Sequence, residues 1–521
     1  MDSSNVVPES AAGAKTVAAI DVGANSLRMA VAQVLPGGRI EVLERLQQAV
    51  HLGQDTFRRG RLGAQSMRAA VTVLRDYRRL LELYHVERVR AVATSAVREA
   101  SNADTLIDRV LMVTGLNLEV IGTSEESRLT VSAVLQALGS ALAVDPKETL
   151  IADVGGGSTL LTVMHRGEIA NSSSLRLGSI RLQEILSTSE ESPERSTELL
   201  RHHIANVIAS AQGYLPLKNV ESFVAVGGDA RFAAREIGKP TASADLYLVE
   251  EREFNKLVRR CGRHAPEELA KRHGLPFAEA ETLNPALLVY QALLHHTRAK
   301  EMIVSHVSMR DGLLLELARN VTGQEDESLT EGVIHSAMAL AAKYRVSLRH
   351  ARNVADLAAR LFDELQAEHG LEPRDRLLLR VAGLVHEAGR FVSSQAHHKH
   401  SYYLIDNSEI YGLNRNDISM VAHVARYHRR SGPKASHVDY MALPRGLRVV
   451  VGKLAALLRV ADAMARGQIR RVEDLQFERQ GDELIIYVPG TEDLILEQRA
   501  IAAKGDVFED IFGMRVRLEH R

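Results

Sequence analysis

The chain has 521 residues, 45% of them hydrophobic and 25% charged, with a formal net charge of −1. Three or four domains of ordinary size fit that length, and so small a charge gives no global field to draw nucleic acid or a membrane surface. The single cysteine, Cys261, excludes a disulfide framework and a cysteine-built zinc site.

No apolar run is long enough to span a bilayer. The start, Met1–Lys15, is polar and rich in Ala, Gly and Ser, and reads as a disordered leader (1–15) rather than a signal peptide. A cytoplasmic protein is the expectation. Residues 16–50 read as three strands. Between the first two stands Ala19-Ile20-Asp21-Val22-Gly23-Ala24-Asn25-Ser26-Leu27. Residues 60–84 carry Leu62, Met67, Ala70, Val71, Leu74, Tyr77, Leu81 and Leu83 at roughly helical spacing. A strand over Val86–Ala93 delivers Thr94–Asn102, and with it Arg98, just past a strand end where open α/β folds place ligand contacts. Read alone, Arg98 is a surface arginine; its fork also suits a phosphate. The strand Leu118–Ile121 leads to Glu125 and Glu126 at the start of a helix running to Leu138. Acids there are favoured by the helix dipole whatever their function.

The stretch Ile151-Ala152-Asp153-Val154-Gly155-Gly156-Gly157-Ser158-Thr159 repeats the earlier order of apolar strand, acid, small residues and hydroxyl. Its glycines let backbone amides converge on one point. Such a nest suits a phosphate oxygen, and an acid at its edge suits hydrated Mg²⁺. A tight Gly-rich hairpin is the bland alternative. Both copies continue into a turn and a further strand, so the recurrence implies an internal duplication. Two related lobes, 16–138 and 139–320, would face each other across a cleft. The second lobe continues with a strand at Glu168–Ser174, a helix at Pro193–Ala211, and a strand at Phe223–Val226 ending in Gly227-Gly228. A short strand at Val304–Val307 precedes the helix, from Gly312, that closes this lobe. Val321–Glu327 reads as a linker.

Between residues 341 and 469 there are 20 Lys/Arg against 12 Asp/Glu, a balance of +8, and nine of the 21 histidines. Helical patterns over Val346–Leu365, Arg374–Glu387, Asn416–His428 and Leu447–Arg466 imply a helical domain, 328–470. Strands return at Leu475–Arg479, Leu484–Val488 and Arg515–Leu518, with a helix over Glu492–Ala503. These imply a small α/β domain over 471–521.

The paired D-x-G-x-x-S and D-x-G-G-G-S-T loops resemble the phosphate loops of the actin, sugar-kinase and heat-shock-chaperone superfamily. Thr94–Asn102, Glu125-Glu126-Ser127-Arg128, Leu177–Leu182, Val226-Gly227-Gly228 and Arg310–Leu314 follow in order. With them, the chain resembles the exopolyphosphatase / guanosine pentaphosphate phosphatase family. The resemblance implies an α/β fold of two actin-like (ribonuclease H-like) lobes, followed by an all-helical HD-like domain and a small α/β domain. It implies Mg²⁺-dependent hydrolysis of the terminal phosphoanhydride of inorganic polyphosphate, or of guanosine pentaphosphate. Gly23, Asn25, Ser26, Arg98, Gly155, Gly156, Gly157, Ser158, Gly227 and Gly228 would bind phosphate. Asp21 and Asp153 would carry Mg²⁺. Glu126, or else Glu125, would activate water. The basic second half places polyphosphate ahead of the nucleotide. A homodimer is the expected assembly, with neither nucleic acid nor membrane as partner.

The helical domain resembles HD phosphohydrolases, which makes His350, His386, Glu387 and Asp462 a possible metal set. Three residues depart from the phosphatase pattern: Ala24 where Ser is usual, Asp229 where Thr is usual, and Leu160 where Glu is usual. The last two support an alternative, a catalytically weakened protein that binds polyphosphate or guanosine tetraphosphate. An HD-type metal phosphohydrolase is the other alternative.

Overall fold

The computed structural model describes residues 13–139, 148–213, 215–241, 246–323, 327–429, 431–467, 469, 472–490 and 493–520. The leader expected over 1–15 therefore lies almost wholly outside the described residues. The chain divides into two compact units, Met1–Asp326 and Glu327–Arg521.

In the first unit, β1 (Lys15–Val22), β2 (Ser26–Val34), β3 (Ile40–Ala49), β4 (Arg88–Ala93) and β5 (Leu118–Val120) form a sheet in the order β3-β2-β1-β4-β5. The first three strands are antiparallel; β4 and β5 run parallel to β1. Val17, Ala18, Ala19, Ile20 and Val22 are all fully buried. A central strand covered on both faces reads as a continuous apolar run rather than an alternating one. The second sheet comprises β6 (Glu148–Val154), β7 (Thr159–His165), β8 (Glu168–Leu175), β9 (Ser222–Val226), β10 (Lys239–Pro240), β11 (Leu246–Glu250) and β12 (Glu301–Ser305). Its order is β10-β11-β12-β9-β6-β7-β8. The run β8-β7-β6-β9-β12 repeats the first sheet strand for strand, so the duplication is carried by topology as well as by motif. Strands β10 and β11 are an antiparallel addition at one edge.

One expectation is corrected here. The helix Met309–Thr322 does not close the second lobe. Its Met309, Leu313, Leu314, Leu317 and Ala318 pack with Val17, Ala19, Ala30, Val92 and Leu129, on the first sheet and the helix Thr123–Leu138. Gly312 permits this: a Cβ there would overlap the backbone of Leu129. The chain thus returns to the first lobe after building the second.

The second unit contains the helices Glu327–Lys343, Leu348–Glu364, Pro373–Val385, His397–Asp406, Arg415–Arg426 and Arg445–Met464. A three-stranded sheet follows, β13 (Gln476–Gln480), β14 (Glu483–Val488) and β15 (Arg515–His520), with helices Ile495–Lys504 and Asp506–Phe512. The expected separate domain over 471–521 is not found. Leu484, Ile486, Ile501, Phe508 and Leu518 belong to the same core as Leu454, Leu457 and Leu458. Buried Arg459 ties the pieces together. It donates to the carbonyls of Lys504 (2.9 Å) and Tyr427 (3.2 Å) and pairs with Asp506 at 2.6 Å. No described helix is long and apolar enough to cross a membrane.

Substituting Gly312→Ala tests the corrected packing. Overpacking against rigid backbone is expected to cost about 1–3 kcal/mol, read as a lowered melting temperature. Gly446→Ala, at an exposed glycine with open space around it, is the control and should leave melting nearly unchanged.

Candidate active site

The two Asp-Gly loops are built alike. Gly23 N donates to Ser26 O at 3.1 Å, and Gly155 N donates to Ser158 O at 2.9 Å. In each loop the carbonyls are claimed by the start of a following helix. Ala24 O accepts from Gly53 N (2.8 Å) and Asn25 O from Val50 N (3.0 Å), beside the helix Leu52–Arg59. Gly155 O accepts from Ser179 N (3.0 Å) and Gly156 O from Ile180 N (3.0 Å), at the helix Ser179–Leu186. In a trans peptide the N–H points opposite to the C=O. The amides of Asn25, Ser26, Gly156 and Gly157 therefore point away from these helices. No loop bond is made by the amides of Asn25, Gly156 and Gly157 among the described residues, and all four residues line the cleft. Glycine is required sterically at 157, where a Cβ would overlap Ser95 and Phe57. Arg181 holds the second loop from behind, donating to Gly157 O at 2.5 Å and pairing with Glu99 at 2.5 Å.

The cleft between the lobes has a volume of about 660 Å³. Asp21 lies near the end of β1, Asp153 near the end of β6, and Glu126 in the first turn of the helix Thr123–Leu138; all three line the cleft. Burial raises all three carboxyls above their ordinary range. Glu126 is pushed up to about 7, by burial and by the charges of Asp153 and Asp21, against the pull of Arg98. Arg28 and Arg310 oppose the rise at Asp21; Arg231 and Arg28 oppose it at Asp153. Asp229 also lines the cleft, in the first turn of the helix Gly228–Ile237, and is pushed up to about 7, mainly by burial. Gly227, at φ +115°, packs so close that a Cβ would stand 3.2 Å from Asp153 Oδ1 and 3.1 Å from the Tyr290 hydroxyl. That hydroxyl accepts from Val154 N at 3.1 Å and donates to Val226 O. The third glycine site thus abuts the second aspartate.

The structure separates the two candidate bases. Glu126 faces the cleft. Glu125 turns away and is bound by Arg128 through two bonds of 2.7 Å and by Arg90 at 3.1 Å, with Glu316 completing the network. A carboxylate fixed between two guanidinium groups serves the fold, and burial does not prevent its carboxyl from staying below the ordinary range. Arg98 is also corrected: it is not among the lining residues. Its Nη1 donates to Ile121 O at 2.6 Å and to Glu126 at 3.2 Å, so it holds the glutamate. Asn25 lines the cleft, but its side-chain amide donates to Ala278 O at 2.7 Å. Ser26, Ser158, Gly23, Gly155, Gly227 and Gly228 line the cleft as expected.

Arg28 and Arg231 also line it and were not singled out from sequence. Arg28 pairs in register with Asp21 across β1 and β2, as Leu160 pairs with Asp153 across β6 and β7. Directly opposed residues share one face of a sheet. The duplication therefore makes Arg28 and Leu160 equivalent positions, and the match of Arg28 to Asp21 is the signal that would have found it.

In the second unit His350, His386 and Asp462 converge. The Nε2 atoms of both histidines lie 3.9 Å from Asp462 Oδ1. Glu387 lies beside His350 and His386, with Arg390 3.0 Å from its carboxylate. His428 groups with His386 and Asp462.

Residues 30–321 match the model of the Ppx/GppA phosphatase family. Residues 334–501 match the model of Ppx/GppA phosphatase domain III. Among solved structures, the chain is similar to an exopolyphosphatase from Cytophaga hutchinsonii, at 22% identity over 60% of this chain and 99% of that one, with a TM-score of 0.54. That likeness bears on the fold. It is also similar to the Aquifex aeolicus member of the Ppx/GppA family, at 25% identity over 60% of this chain and 100% of that one, with a TM-score of 0.49.

The raised carboxyls make a prediction about pH. An acid whose folded pKa exceeds its unfolded value contributes stability that is full below the unfolded pKa and lost as pH rises through the folded one. For Glu126 that window runs from about 4.5 to about 7. In metal-free protein, Glu126→Gln should therefore raise the melting temperature at pH 8, by on the order of 1–3 kcal/mol of stability. Near pH 4.5 it should change little.

Proposed function

Because the chain belongs to the Ppx/GppA phosphatase family, we propose that it hydrolyses the terminal phosphoanhydride of inorganic polyphosphate in a Mg²⁺-dependent reaction. The observation that carries this reading is the convergence of Asp21, Asp153 and Glu126 beside two sets of outward-turned loop amides. Phosphoryl transfer asks a protein mainly for positioning and charge stabilisation. The amides of Asn25, Ser26, Gly156 and Gly157 hold oxygens of the terminal phosphoryl group. Arg28 and Arg231 face the same space and offset its negative charge. Glu126 takes a proton from water as the water oxygen bonds to phosphorus and the bridging P–O bond breaks. The products are inorganic phosphate and a chain one unit shorter. A carboxyl raised to about 7 is matched to that task near neutral pH. Arg98 keeps Glu126 oriented.

Asp21 and Asp153 fit Mg²⁺. They are oxygen donors whose ionised forms are disfavoured by burial, and at Asp153 also by the charge of Asp21, and Mg²⁺ prefers carboxylate and phosphate oxygens. When bound, the ion neutralises charge on the phosphoryl oxygens. This reading puts polyphosphate ahead of guanosine pentaphosphate because of the +8 balance of residues 341–469.

Leu160 supports a second reading, a protein that binds polyphosphate or guanosine tetraphosphate with little turnover. It is 5% exposed and stands opposite Asp153, where an acid would add to the carboxylate group. Phosphate release from long-chain polyphosphate with Mg²⁺ distinguishes the two. The enzyme reading expects release by the wild type and a loss of about 10²-fold or more in Glu126→Gln. Binding without release in the wild type would favour the second reading. Leu160→Glu then adds a further test. A several-fold gain suits a working enzyme, whereas turnover emerging from none marks a decayed one.

A further inference from the structure

We propose that the second unit carries a binding site for a nucleoside polyphosphate, in a pocket between the start of the helix Arg445–Met464 and the helix Asp506–Phe512. The inference is independent of the cleft chemistry. The pocket has a volume of about 810 Å³, a size that suits a small organic ligand. Arg445, Arg448, Val449, Gly452 and Lys453 all line it. At offsets of 0, 3, 4, 7 and 8 they form one face of the helix, while Leu454, Leu457 and Leu458 go to the core. Residues 431–434 form a further wall. Gly432 lets that loop come close, since a Cβ there would stand 2.8 Å from Val507 Cγ2.

The charge placement asks for an anion. Arg445 and Arg448 stand in the first turn of their helix, which holds no acid. The helix dipole disfavours cations there, so the fold gains nothing from them and an anion does. Among the described residues the side chains of Lys434 and Arg445 have no ion-pair or hydrogen-bond partner. Lys453 donates to His369 O at 2.6 Å, and Arg448 Nη1 lies 3.0 Å from the Met441 sulfur; neither partner carries a charge. Of the two lining acids, Asp506 is paired with Arg459 at 2.6 Å, which leaves Asp510 as an acceptor for hydroxyls. The floor asks for something else. Val449 and Ile511 remain 51% and 37% exposed inside this concavity. Tyr440 lines it too, its hydroxyl donating to Arg448 O at 3.0 Å. Inorganic polyphosphate would use the cations and gain nothing from this apolar surface. A nucleoside polyphosphate uses both, with its phosphates on the guanidinium and ammonium groups and its base on the apolar side chains and the tyrosine.

The test is photolabelling of the full chain with 8-azidoadenosine triphosphate, with the labelled peptides located by mass spectrometry, so that this pocket and the cleft are read separately. Label is expected within 431–453 or 506–511. ATP or GTP should displace it at concentrations at least about tenfold lower than inorganic tripolyphosphate. Arg445→Glu and Val449→Asp, both at exposed positions, should each remove it, with circular dichroism confirming that the variants fold; Lys434→Glu serves if either does not. Absence of label from these segments, or label that persists undiminished in the folded variants, would overturn the site. Displacement by tripolyphosphate as readily as by ATP and GTP would overturn the assignment to a nucleoside.

Discussion

Everything in the first unit depends on one electrostatic conflict. Asp21, Asp153 and Glu126 come from three elements of two lobes, yet they are gathered in one place where burial raises all three carboxyls, Asp21 raises Asp153, and both aspartates raise Glu126. A fold meets such a cost only where the ligand repays it. The surrounding design follows from that conflict. Loop carbonyls are turned into helix starts, which leaves amides to meet an anion. Arg28, Arg231 and Arg310 temper the acids. Arg98 holds the most strongly raised one. A cation and a phosphate arriving together would satisfy both halves of the arrangement.

The two lobes share a plan and differ where chemistry needs asymmetry. Arg28 and Leu160 occupy equivalent positions opposite the paired aspartates. One places a cation in the cleft and the other an apolar side chain beside it. Arg28 tempers the burial of both aspartates, whereas at Asp153 the larger opposing charge is Arg231, from another element. Asp229 returns a carboxyl to the second lobe's side of the cleft. The fully connected network of Glu125, Arg90, Arg128 and Glu316 shows how adjacent acids divide the work. Glu125 anchors the helix Thr123–Leu138 to the lobe, which leaves its neighbour free to face the substrate.

The duplicated loops and the cleft residues they carry were legible in the sequence, because glycine and aspartate at fixed offsets leave few backbone alternatives. Other parts were not. The helix Phe277–His295 is apolar on nearly every face and contains Pro285, so it shows no helical period to read. The helix Met309–Thr322 was legible as a helix but not as a part of the first lobe; only the tertiary return of the chain assigns it. Spacing could not separate Glu125 from Glu126, since a helix turns consecutive residues about 100° apart and either can face a cleft. Arg98 stood at the right strand end, yet a neighbouring acid claimed it. Lys504 gave no signal, being 42 residues in sequence from the Asp462 with which it pairs.

The most direct measurement of the central conflict is the Mg²⁺-induced rise in melting temperature as a function of pH, for wild type beside Asp153→Asn. If the buried carboxylates are the cation site, Mg²⁺ raises the wild-type melting temperature at pH 8, where they are ionised. The rise then fades towards pH 5 and is largely absent in Asp153→Asn. A rise that is the same at pH 5 as at pH 8, or that survives intact in Asp153→Asn, would contradict that assignment.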